Sequence, residues 1–223
     1  MTWVKICGTT NLEDALTAVD AGADAVGFVF YEKSPRNITV EAARKIAEKL
    51  PEGVEKVGVF VNEIATRVSA IADEVGLTAV QFHGDEYQNP EMFAINRKSF
   101  YCIPADWIAM TGQKKEKSVG SFIAFPKNLG TVMLDSGTSQ QRGGTGKAFD
   151  WREAKAWVST IGQSHLVVIA GGLNAENVEE AIEILKPWGV DVVSGVEAKP
   201  GKKDPEKVRA FVQAVREADR KTS

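Results

Sequence analysis

Eight short runs rich in β-branched and apolar residues recur along the chain, each followed by a stretch of helical spacing, and this alternation leaves few architectures open. The runs are Val4–Cys7, Ala25–Phe30, Lys56–Val61, Ala79–Phe82, Phe100–Ile103, Val132–Asp135, Leu166–Ala170 and Val190–Ser194. Their length and near-continuous apolar character suit parallel strands covered on both faces. Asn11, Thr39, Asn62, Asn174 and Asp204 precede the helical stretches, where a side-chain oxygen can accept an unpaired backbone N–H. Asp204 stands before Pro205, a residue suited to a first helical turn. Strand-then-helix units in this number predict a single-domain (β/α)8 TIM barrel spanning residues 1–223, a fold that takes upwards of about 200 residues. An open doubly wound sheet is the rival. The turn after the first run, Cys7-Gly8-Thr9-Thr10-Asn11, lacks the G-x-G-x-x-G pattern that a dinucleotide would require. Between Thr111 and Lys127 no amphipathic pattern is legible, so the fifth helix is not placed from sequence.

Composition removes several function classes. A formal net charge of -3 provides no overall basic field, so nucleic acid is not expected as the main partner. No run approaches the roughly 20 apolar residues that span a bilayer. The start, Met1-Thr2-Trp3-Val4-Lys5, lacks a signal-peptide layout, so a cytoplasmic protein without membrane attachment is expected. The two cysteines, Cys7 and Cys102, are too few for a disulfide scaffold and lack zinc-site spacing, and there are only two histidines. No metal is expected.

In barrels the chemistry sits at the C-terminal ends of the strands, so the polar residues that end each run are the candidates. They are Cys7, Arg36 in the long second loop, Asn62, His83 with Asp85, Asp135, Gly171-Gly172 and Ser194-Gly195. Each has a plainer reading. A thiol at a strand end is often a small core residue, and that reading is kept for Cys102 between Tyr101 and Ile103. Asp135 can cap a turn, His83 can be a satisfied turn histidine, and Arg36 can be a solvated loop charge. Gly143-Gly144-Thr145-Gly146-Lys147 misses the G-x-x-x-x-G-K-[ST] phosphate loop, because Ala148 follows the lysine, and reads better as a glycine-hinged loop. The turns Ala170-Gly171-Gly172-Leu173-Asn174 and Ser194-Gly195-Val196 are a stronger phosphate signal, since bare backbone and helix-start N–H groups can approach an anion there. Their plainer reading is a pair of tight turns.

Assembled in order, Val4-Lys5-Ile6-Cys7-Gly8, Ser34-Pro35-Arg36, Gln81-Phe82-His83-Gly84-Asp85-Glu86 and Met133-Leu134-Asp135-Ser136 form a recognisable series with Gly143 to Trp151, Ala170-Gly171-Gly172-Leu173 and Ser194-Gly195-Val196-Glu197. The series resembles the phosphoribosylanthranilate isomerase family of tryptophan biosynthesis over nearly the whole chain. The resemblance implies a (β/α)8 barrel, no cofactor, Cys7 as catalytic base and Asp135 as catalytic acid. It also implies N-(5-phosphoribosyl)anthranilate as substrate, with Arg36 on the anthranilate carboxylate, His83 and Ser194 lining the site, and the turns at Gly172 and Gly195 on the phosphate. The last strand departs from the family's Asp-Val-Ser-Ser-Gly, reading Asp191-Val192-Val193-Ser194-Gly195. One hydroxyl is missing, which shifts phosphate binding onto backbone groups. Oligomeric state is left open.

Other phosphosugar barrels, a pentose-phosphate epimerase or an indole-glycerol-phosphate synthase, would use the same phosphate turns. Neither explains a first-strand cysteine facing Asp135. A barrel that merely binds a phosphosugar would form no ketose product.

Strand parity adds one further expectation. Lys5 and Cys7 share a face of the first strand, and Asp191 lies on the same face of the eighth as Val193 and Gly195. A barrel closes strand eight on strand one, so Lys5 and Asp191 are expected to pair beneath the site, with the ammonium helping to hold some thiolate at Cys7. The plainer reading is that Lys5 pairs with another inward acid or reaches water at the barrel base.

Overall fold

The computed structural model describes residues 1–84, 95–105, 130–136 and 148–222. Eight parallel strands close into a barrel: β1 (Trp3–Ile6), β2 (Ala25–Phe30), β3 (Glu55–Phe60), β4 (Ala79–Phe82), β5 (Lys98–Pro104), β6 (Thr131–Asp135), β7 (Val167–Ile169) and β8 (Gly189–Val192). Each strand lies beside its sequence neighbours, and β8 closes on β1 with Lys5 opposite Asp191. The described helices are α1 (Leu12–Asp20), α2 (Val40–Ala47), α3 (Ala65–Val75), α4 (Trp151–Ile161), α5 (Val178–Leu185) and α6 (Pro205–Thr222). The expected barrel is therefore present. A small antiparallel hairpin, β9 (Glu197–Lys199) with β10 (Lys202–Lys203), follows a 3-10 turn at Ser194–Val196 and was not foreseen.

Parity divides the apolar residues between two cores. Outward strand residues such as Val4, Val26, Phe28, Val80 and Val190 pack against the helices. Inward ones, among them Ala25, Val57, Phe100, Cys102, Met133 and Val168, fill the barrel. At the N-terminal end Trp3 stacks between Phe100 and Trp188, with ring centroids 5.3 and 5.0 Å away. Lys98 lies over the Trp188 ring at 4.8 Å and pairs with Glu55. That end is filled by side chains.

Three of the five expected caps are in place. Asn11 accepts from the Asp14 N–H, Thr39 from Ala42 and Asp204 from Glu206. Two are corrected. Asn62 takes a positive φ of 52° and precedes a helix that starts at Ala65, behind an Ile64 that makes no side-chain cap bond. Asn174 accepts from the Glu176 N–H, which orders a turn and delays α5 to Val178, with Asn177 at the cap position. Short polar side chains favour caps and turns alike, so spacing alone does not separate the two.

A cap that sequence reading passed over is Asp150, whose Oδ1 accepts from the N–H groups of Arg152 and Glu153 at 2.9 and 3.1 Å. Asp150→Ala is expected to cost about 1 kcal/mol. It should show in urea unfolding as a lower midpoint at unchanged slope, and an unmoved midpoint would remove the capping role. The C-terminal helix ties the barrel's first strand down: Asp219 accepts from the Thr2 backbone and hydroxyl, and Arg216 donates to the Thr2 carbonyl at 2.6 Å. Among the described residues no helix is long and apolar enough to cross a membrane.

Candidate active site

The C-terminal mouth of the barrel holds a cavity of about 400 Å³. Cys7, Arg36, Gln81, His83, Asp135 and Asp191 line it, so five strands or strand-following loops supply polar groups to one space. A crevice of about 30 Å³ adjoins it, sharing Asp135 and Asp191 and adding Gly172 and Ser194. A second cavity of about 420 Å³ lies outside the barrel between α4 and α5. Its titratable lining consists of Lys155, His165 and Lys186, with neither a carboxylate nor a thiol.

Lys5 is wholly buried at the floor of the mouth cavity. Its Nζ donates to Asp191 at 2.8 Å and to the Gln81 side-chain oxygen at 2.9 Å, so the expected ion pair is present. Burial works to lower its pKa, but Asp191 and Cys7 outweigh that and hold the ammonium above the ordinary lysine value. Cys7 is 3% exposed. Burial pushes its thiol up, with Lys5 and Lys203 pulling down and Asp191 adding to the rise, and the result lies above the usual thiol value. Lys5 thus pulls Cys7 toward the thiolate in the expected direction, while desolvation outweighs that pull.

The space above these groups depends on Gly27 of β2. A Cβ there would stand 2.6 Å from the Cys7 sulfur and 3.0 Å from Lys5 Cε, so any larger residue would displace the thiol.

Arg36 is not a solvated loop charge. Its side chain is 14% exposed, and its Nε and Nη2 donate to the two oxygens of Glu197 at 3.0 and 2.7 Å. This bidentate pair occupies the Nε–Nη2 edge of the guanidinium, so the Nη1–Nη2 edge of this cavity-lining residue is not used by Glu197. Glu197 also accepts from the Gly201 N–H and from Lys203 at 3.4 Å. Lys203, 1% exposed, donates to the backbone carbonyls of Cys7 at 2.5 Å and Val193 at 3.2 Å. Sequence reading missed Lys203 and gave Glu197 no role. Two adjacent lysines after a Pro-Gly turn read as solvated charge, and only the β9–β10 hairpin folds one of them under the first strand.

The two glycine turns come together as well. Gly171 and Gly172 take positive φ values of 81° and 68°, and a Cβ on Gly171 would meet the Ser136 backbone nitrogen at 2.4 Å. Gly195 lines neither cavity, and a Cβ on it would lie 2.0 Å from the Leu173 carbonyl oxygen, so packing between the turns already demands glycine there. Ser194 and Gly172 do face the crevice. Asn62 stands at the end of β3 but is not among the cavity-lining residues. Asp85, the Gly143–Lys147 stretch and the segment from Thr111 to Lys127 fall outside the described residues. One group of potential metal ligands occurs among the described residues: His83, Cys102 and Asp135, with donor atoms all within 4.8 Å of one another.

Thiol, carboxylate and guanidinium groups gathered at the C-terminal mouth of a closed barrel are the layout of a (β/α)8-barrel enzyme. The chain belongs to the N-(5'-phosphoribosyl)anthranilate isomerase family, whose family model matches residues 4–214. The enzyme of that name from Citrifermentans bemidjiense is 45% identical over 216 residues, covering 95% of this chain and 96% of its own. That from Thermotoga maritima is 43% identical over 213 residues, covering 96% and 98%. The crystal structure of the Thermotoga maritima isomerase superposes with a TM-score of 0.81 at 38% identity, over 97% of this chain and 100% of that one. A phosphoribosylanthranilate isomerase crystallised with reduced 1-(o-carboxyphenylamino)-1-deoxyribulose 5-phosphate superposes at 0.78 and 37% identity, over 97% and 100%.

Proposed function

We propose that this isomerase converts N-(5-phosphoribosyl)anthranilate to 1-(2-carboxyphenylamino)-1-deoxyribulose 5-phosphate, a step of tryptophan biosynthesis, with Cys7 as base and Asp135 as acid. The observation that carries the assignment is that both residues, one directly after β1 and the other at the end of β6, line one cavity contiguous with the Gly172 and Ser194 crevice. The aniline nitrogen lone pair drives opening of the furanose while Asp135 protonates the ring oxygen, giving an imine. Cys7 then removes the proton from C2, and the enolamine tautomerises to the aminoketose. General acid and base steps of this kind contribute about 10²–10⁴-fold each.

The remaining groups position the substrate from its ends. Gly172 and Ser194, with the neighbouring Gly195 turn, receive the phosphate, and the unused edge of Arg36 receives the anthranilate carboxylate. His83 lines the cavity near Asp135. The whole chain, 1–223, acts as one catalytic domain in the cytoplasm on this small phosphosugar-anthranilate, with nucleic acid and membrane playing no part. The free thiols of Cys7 and Cys102 suit a reducing compartment.

Supplying freshly made phosphoribosylanthranilate and following the loss of its fluorescence tests the activity directly. Binding without ketose formation would sink it in favour of a phosphosugar-binding barrel. Arg36→Met is expected to weaken binding of carboxylate-bearing ligands by about 2–5 kcal/mol, seen as a raised KM, while inhibition by a carboxylate-free analogue changes little. If the variant discriminates between the two ligands as strongly as wild type, Arg36 does not bind the carboxylate.

A further inference from the structure

We infer that His83, Cys102 and Asp135 form a binding site for a soft divalent cation of the zinc class, and that such a cation inhibits the isomerase by taking Asp135. The barrel's register brings the three together. Phe82 of β4 pairs with Tyr101 of β5, which sets His83 beside Cys102 in the next position. Pro104 of β5 pairs with Asp135 of β6, so three adjacent strands each send one donor inward at the mouth. These residues lie 19 and 33 positions apart in the chain, which is why no short spacing motif marks them.

The geometry and the donor chemistry both fit. Zinc bonds of about 2.3 Å to sulfur and about 2.0 Å to nitrogen or oxygen put tetrahedral ligand atoms about 3.3–3.6 Å apart. The three donor atoms already lie within 4.8 Å of one another, so closing the site takes about 1 Å of side-chain movement. Imidazole, thiolate and carboxylate together suit zinc or cobalt, whereas magnesium and calcium ask for oxygen alone. Three protein ligands leave a fourth position, and His83 and Asp135 turn it toward the substrate cavity.

Charge around the thiol favours a cation. Burial drives the Cys102 thiol well above its ordinary value, and the carboxylates of Asp135 and Asp191 add to that, with Lys5 opposing and Cys7 contributing slightly. With His83 these are the titratable groups facing it among the described residues. A cation bound here takes the place of the thiol proton. Cys102 has no part in the proposed isomerisation, and the inhibitory half of the inference rests on Asp135 as the acid.

Cobalt(II) titrated into reduced, chelator-free protein reads the site through its sulfur-to-metal charge-transfer absorption, and zinc inhibition of turnover is measured alongside. Wild type and Cys7→Ala are expected to show the thiolate band, while Cys102→Ala and His83→Gln lose or weaken it. Cys102→Ala should keep its uninhibited turnover and need at least about 10-fold more zinc for half-inhibition. Magnesium should do nothing in either assay. No thiolate band in wild type, or a band that survives Cys102→Ala and disappears in Cys7→Ala, overturns the site. A band that depends on Cys102, with turnover undiminished at saturation, upholds cation binding and instead removes Asp135 from its role as acid.

Discussion

Cys7→Ala and Asp135→Asn are each expected to lower kcat by at least about 10²-fold while leaving thermal unfolding close to wild type, because each would delete one of the two proposed proton-transfer partners and little packing. The Cys7 loss belongs at the larger end of that range. Lys5, Lys203 and Gly27 all serve the position of this one thiol: a buried cation below it, an ammonium on its backbone carbonyl and bare backbone opposite its sulfur. Steady-state kinetics on the purified variants checks it, and near-wild-type turnover in either folded protein would take that residue out of the mechanism. Cys102→Ala provides the contrast, since its thiol lies in the barrel core and does not line the cavity.

Asp191→Ala is expected to destabilise the fold by about 3–5 kcal/mol, the penalty for leaving a buried ion without its partner. Lys5 is wholly buried and would keep the Gln81 oxygen and the Cys7 thiol but no carboxylate. The sign of its pH dependence follows. Wild-type Lys5 sits above the ordinary lysine value, so its pairing stabilises at every pH below that value and is lost only at higher pH. In the variant, burial acts unopposed by Asp191 and depresses the Lys5 pKa, so the folded state gains stability as pH rises toward about 10.4, the unfolded value. The deficit should therefore narrow between neutral and alkaline pH. Chemical unfolding at a series of pH values measures it. A loss of no more than about 1 kcal/mol would show that water reaches the ammonium. The double variant Lys5→Met, Asp191→Leu should recover much of the loss, since a matched apolar pair replaces a buried ionic one at little cost.

The strands were legible because burial on both faces writes itself into sequence as apolar, β-branched runs; β2 and β4 match their expected limits and the others differ by one or two residues. Parity then sufficed for Lys5, Cys7 and Asp191, since inward and outward positions alternate and the closure of β8 on β1 fixes who meets whom. What local pattern does not encode is stagger between non-consecutive segments. Lys203 reaches Cys7 across 196 positions, and Glu197 reaches Arg36 across 161. Cys102 was read as a core thiol, which its burial bears out, yet its closeness to His83 and Asp135 arises from strand register rather than from anything beside it in sequence. The caps at Asn62 and Asn174 failed for a different reason: both side chains suit a turn as well as a helix start.

The stacked rings of Trp3, Phe100 and Trp188 make the barrel a cup with a single rim. Whatever enters over that rim must leave over it, so the ketose has to vacate the cup before another aldose can settle. Reactant and product are then expected to exclude one another, so that accumulating product slows turnover in a way that added substrate reverses.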